Sequence, residues 1–103
     1  MTNVLLAIKR AVLAGHYAFS EKARIEMEAD RLTELDVVES IVNAVAIYKK
    51  LRTQARTPTH SREYLYVIQS TNLVGVAIYT KGKLIRQRGA VTYYFLVSSK
   101  RAL

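Results

Sequence analysis

A chain of 103 residues, half of them hydrophobic, is long enough for one domain that buries roughly 65% of the surface its unfolded form exposes, which excludes intrinsic disorder despite a net charge of +8. The absence of cysteine excludes disulfides and thiolate metal sites. The apolar run Val4 to Ile8 stops at Lys9 and Arg10, too soon for a signal peptide or a membrane span, so the expectation is a cytoplasmic protein without a membrane partner.

In chain order, Leu5, Ile8 and Val12 recur at helical spacing and predict a first amphipathic helix over 3–14, stopped by Gly15. Ser20 ahead of Glu21 reads as the cap of a second helix over 20–31, with Ala23 and Met27 on its buried face. Thr33 followed by Asp36 is a capping pair that opens a third helix over about 34–46, whose buried stripe is expected to be Leu35, Val38, Val42 and Val45. The stretch 46–52 is more β-like, and the polar segment around Pro58, the single proline, reads as a loop.

Beyond that loop "EYLYVIQS", "NLVGVAIYT" and "VTYYFLVSS" are rich in Val, Ile and Tyr and read as strands, with "KLIRQR" as a fourth. Lys81-Gly82 and Arg88-Gly89 are the expected turns. The fold class that follows is α+β: about three N-terminal helices packed on a C-terminal antiparallel sheet of about four strands. All of it belongs to a single domain, 1–103, whose residues 1–51 are helical and whose residues 52–103 form the basic sheet.

Charge divides along the same line. Residues 1–51 carry seven bases and seven acids, whereas 52–103 carry nine bases and one acid, Glu63, and so hold all of the +8. Segregated positive charge points to a polyanion, since Lys and Arg gain affinity by releasing the counterions condensed on phosphates. RNA or the ribosome is the expected partner. Strand alternation would put Arg86 and Arg88 on one face, with Tyr79, Lys81 and Lys83 brought alongside by a hairpin. The same charges would also suit an edge strand that resists sheet-to-sheet pairing.

Of the consecutive tyrosines, alternation assigns Tyr93 to the apolar side with Val91, Phe95 and Val97, leaving Tyr94 outward and open to a ligand. His60 lies in the basic loop beside Arg62 and is a candidate acid or base, while His16 serves the turn after the first helix. Neither histidine has metal-ligand spacing, and no phosphate-binding Gly-rich loop or nucleophile elbow occurs, so no metal and no cofactor is expected.

The segments "GHYAFSEKARIEM", "LTELDVVESIVNA" and "YYFLVSSKR" resemble a family of small bacterial domains whose start reads approximately His-Tyr-x-x-Ser-x-His-Ala. That resemblance implies a fold similar to RelE-like and MqsR-like toxins and a relationship to toxin–antitoxin ribonucleases, with an acidic antitoxin as partner. Lys22 stands where the family pattern often has its second histidine, so that residue's role does not carry over.

Two readings follow. In a metal-independent endoribonuclease of the mRNA interferase type, Arg86, Arg88, Lys81 and Lys83 would stabilise charge on phosphorus and His60 or Tyr94 would transfer the proton, with Arg62, Tyr79, Lys100 and Arg101 holding RNA. In a non-catalytic module the same basic surface would dock on nucleic acid, the ribosome or an acidic protein.

Overall fold

The computed structural model describes residues 3–52 and 64–103. Three helices, α1 (Val4–Leu13), α2 (Glu21–Ala29) and α3 (Glu34–Asn43), cover one face of a sheet built from β1 (Tyr17–Phe19), β2 (Lys49–Arg52), β3 (Tyr64–Thr71), β4 (Ala77–Gln87) and β5 (Ala90–Arg101). The α+β class stands, with three helices ahead of all but one strand. Among the described residues the sheet is five-stranded and mixed rather than four-stranded and antiparallel, in the order β1-β5-β4-β3-β2.

Two of the expected strands are one in β4, and β2 and β1 complete the five; β1 pairs parallel to β5 through Tyr17, Ala18 and Phe19. Three residues are too few to show an alternation. Gly15, at φ 79°, ends α1 while the His16 amide donates to the Ala11 carbonyl (2.8 Å), and the His16 carbonyl then accepts from the Tyr94 amide (2.9 Å). The close of the helix thereby delivers the chain to the free edge of β5.

The helix starts are set by side chains that answer otherwise unpaired amides. Ser20 accepts from the Ala23 amide (3.0 Å), and Thr33 and Asp36 form a reciprocal capping box. Asp36 also accepts from the Asn72 side chain (3.1 Å), tying the start of α3 to the turn between β3 and β4. The hydrogen bond from the Thr33 backbone, foremost, holds the Asp36 carboxyl below its usual range, against the opposing effect of burial and with help from the Thr33 and Asn72 side chains and the Arg101 charge.

A depressed folded-state pKa means that this contribution is whole above the unfolded value of 3.8 and is lost as pH falls through the lower folded value. Urea denaturation of the wild type and Asp36→Asn should accordingly differ at pH 7 and converge in strong acid.

Ile8, Val37, Ile41, Ile68, Ile78, Tyr94 and Leu96 form the centre of the core between helices and sheet. Ala23 and Met27 of α2 join it as expected. In α3 the buried positions are Val37, Ser40 and Ile41; of the predicted stripe Val38 is half-buried against the core, while Leu35, Val42 and Val45 are exposed. Two apolar stripes compete on this helix, and the sheet takes the one that carries Val37 and Ile41.

Arg88 and Gly89, with φ of 53° and 80°, form the two-residue turn between β4 and β5. Positive φ at both positions gives the twist that a tight hairpin needs, and Asn suits the first position better than Arg. Arg88→Asn should therefore raise stability by about 0.5–1 kcal/mol, read as a higher midpoint in urea with an unchanged slope.

Lys81-Gly82, by contrast, is no turn. β4 runs straight through it, with register shifts against β5 at Lys81/Gly82 and Ile85/Arg86. A Cβ built on Gly82 would lie 2.6 Å from Tyr94 Cζ and 2.8 Å from the Phe95 carbonyl oxygen. The glycine is there to admit the Tyr94 ring.

Among the described residues no helix is long and apolar enough to cross a membrane.

Candidate nucleic-acid interface

All three helices pack on the face of the sheet that carries Tyr66, Ile68, Ile78, Tyr94 and Leu96. Period-two alternation sends the intervening residues to the other face, which no described helix covers. Register fixes what stands together there: Tyr79 is opposite Lys100, Lys83 opposite Phe95 and Ile85 opposite Tyr93 across β4 and β5, and Lys81 is opposite Val67 across β3 and β4. Lys49 continues the row on β2, also opposite Val67.

This helix-free face therefore joins three aromatics to lysines. Lys81 and Lys83, two residues apart on one strand, are separated by about 7 Å along it. The Lys100 ammonium lies 5.3 Å from the centre of the Tyr79 ring, a cation–π contact between neighbouring strands. β2 to β5 contain no Asp or Glu, so no carboxylate on these strands competes with an incoming anion.

The remaining expected site residues do not converge on it. Arg86 follows the register shift at Ile85/Arg86 and acts on Tyr66, which lies on the helix side: burial raises the Tyr66 hydroxyl and the Arg86 charge pulls it back. Arg88 occupies the hairpin tip, so the two arginines share no face. Arg101 pairs with Ile78 and its amide and Nε donate to Asp30 (2.8 and 3.2 Å), which spends it on fixing α2 to β5. His60 and Arg62 lie outside the described residues.

Tyr94 corrects the largest expectation. It is fully buried, not outward, with its hydroxyl donating to the Tyr66 carbonyl (3.5 Å). Burial, helped by Tyr66, pushes that hydroxyl far above the usual tyrosine range, the reverse of what a base near neutrality needs. The run "TYYFLV" is apolar on both alternations, so period two gives relative faces without saying which is inside. Tyr93 and Phe95, assigned to the core by the inverted phase, belong instead to the face away from the described helices, and Lys49 joins them through a pairing that only the folded register reveals.

On the helix side of the same sheet end, the Lys50 ammonium lies 4.1 Å from the centre of the Tyr64 ring. A groove of about 310 Å³ lies between α1 and the start of β5, lined by Ala7, Arg10, Ala11, His16, Val91 and Thr92. Among the described residues no cluster of His, Cys, Asp or Glu could hold a metal ion.

No protein-family model, no curated protein and no solved structure matches this chain.

Proposed function

We propose that the chain binds single-stranded RNA along the helix-free face of its sheet. One observation carries this reading: Tyr79, Tyr93 and Phe95 share that face with Lys81, Lys83 and Lys100 on strands without a carboxylate. Aromatic faces accept unstacked bases of any identity, and lysines beside them neutralise the backbone that connects those bases. A sheet whose other side is braced by helices supplies both on a rigid support.

Binding rather than cleavage is the portion of the RNA reading that rests on these side chains. Chemistry at phosphorus needs a proton-transfer group within reach of the 2′-hydroxyl, and Tyr94, enclosed in the core, offers none to this face.

The test is fluorescence anisotropy with a labelled uridine oligonucleotide across a salt series, with the RNA recovered and sized afterwards. The expected result is intact RNA and an affinity that falls log-linearly with salt. Salt-independent or absent binding would reject the reading. Shortened RNA would restore the endoribonuclease, and binding of an acidic protein in place of RNA would move the function to protein recognition.

A further inference from the structure

Three adjacent strands bring Gln69, Tyr79 and Lys100 into one row: Gln69 is opposite Tyr79 across β3 and β4, and Tyr79 is opposite Lys100 across β4 and β5. All three stand on the helix-free face, because Gln69 alternates with the buried Ile68 on β3 as Tyr79 does with the buried Ile78 on β4. Neighbouring strands lie about 4.8 Å apart, so Gln69 flanks Tyr79 on one side while Lys100, its ammonium 5.3 Å from the ring centre, flanks it on the other.

A cavity of about 560 Å³ opens at this row. Its wall is completed at the strand ends by Ala102, whose amide donates to the Ala77 carbonyl (3.0 Å), by Leu103, and by Asp30, whose carboxylate accepts from the Arg101 amide (2.8 Å). That volume falls within the roughly 300–1,000 Å³ of small-molecule pockets and admits one nucleobase.

Gln69 distinguishes this end of the face from the rest. It is exposed, and its carboxamide has no hydrogen-bond partner among the described residues. A carboxamide carries a donor and an acceptor side by side, and in one orientation or the other it matches the donor–acceptor pair on the Watson–Crick edge of an unpaired base, such as N3–H and O4 of uracil. Tyr93, Phe95, Lys81 and Lys83 offer rings and charge but no such pair.

We infer, on the strength of the RNA reading above, that this cavity takes one unpaired nucleobase, stacked on Tyr79 with its Watson–Crick edge hydrogen-bonded to the Gln69 carboxamide, and that Lys100 neutralises the phosphate beside it. A base within a duplex has that edge engaged by its partner strand, so Gln69 makes this position selective for unpaired nucleotides.

Fluorescence anisotropy with a labelled uridine octamer and the same octamer of N3-methyluridine tests this. Methylation removes the N3–H donor and crowds O4, while the ring face and every phosphate stay in place. The wild type should bind the methylated octamer at least about tenfold more weakly, the value of one bidentate pair. Gln69→Ala, exposed and outside the core and so compatible with an unchanged circular dichroism spectrum, should bind both octamers alike, at the affinity the wild type shows for the methylated one and with the same salt slope. Equal binding of the two octamers by the wild type, or discrimination kept by Gln69→Ala, would overturn the inference and leave RNA binding standing; no binding of either octamer would overturn both.

Discussion

Replacing Lys81, Lys83 and Lys100 together by alanine is expected to weaken RNA binding about 100-fold at 0.1 M salt, because each phosphate neutralised on a single strand contributes a slope of about −0.7 in log affinity against log salt. Removing three such contacts should also flatten the measured slope by about 2. The fold should survive. Lys81 and Lys83 are partly exposed and Lys100 is exposed, and none of the three belongs to the core.

A matching Arg86→Ala, Arg101→Ala pair should leave affinity and slope nearly unchanged, since Arg86 acts on the helix side and Arg101 is engaged with Asp30. Equal losses in both sets would mean that binding follows net charge alone. The aromatics separate the same alternatives: Phe95→Ala should cost about 1–3 kcal/mol of affinity with no change in salt slope, which charge alone does not explain.

Gly82→Ala is expected to destabilise the fold by about 3 kcal/mol, at the upper end of what overpacking costs. The new methyl would meet the Tyr94 ring at 2.6 Å and the Phe95 carbonyl at 2.8 Å. Tyr94 cannot step aside, because it is wedged among the core residues with no exposed surface. Neither can the β5 backbone, which is paired on both edges by β1 and β4.

Tyr94→Leu in the Gly82→Ala background should recover some of the loss, since only the ring half of the clash is removed. The double-mutant cycle should give a coupling of about 1–2 kcal/mol. Purely additive effects would show that Gly82 is needed for some other reason.

Local chemistry made the helices legible. Ser20, the Thr33–Asp36 pair and Gly15 act within one turn of the residues they cap, and the Arg88-Gly89 turn is decided by two backbone angles, so a short window contains the whole cause. Facing is different. "TYYFLV" and the stripes of α3 are apolar on more than one side, and only the packing partner decides which side is buried.

Gly82 misled for a related reason. Glycine admits a turn and also admits a ring, and the ring that claims it comes from a strand twelve residues further on. Of the candidate site, Tyr79, Lys81 and Lys83 share a face, but by alternation along one continuous β4 and not through the expected hairpin at Lys81-Gly82, and Lys100 joins them only through the register of β5. Arg86 and Arg88 do not join them, because without a turn at Lys81-Gly82 alternation along β4 puts Arg86 on the opposite face from Tyr79, Lys81 and Lys83, and Arg88 lies in the β4–β5 turn at positive φ. β1 escaped because three residues carry no period and its stability comes from the edge it fills.

The most direct test of the RNA reading is a heteronuclear shift map of the labelled protein titrated with a uridine octamer. Perturbations confined to Gln69, Tyr79, Lys81, Lys83, Tyr93, Phe95 and Lys100, with α2 and α3 silent, are the predicted result. Perturbations centred on the helices, or on Lys50, Tyr64 and Arg86 across the sheet, would contradict it.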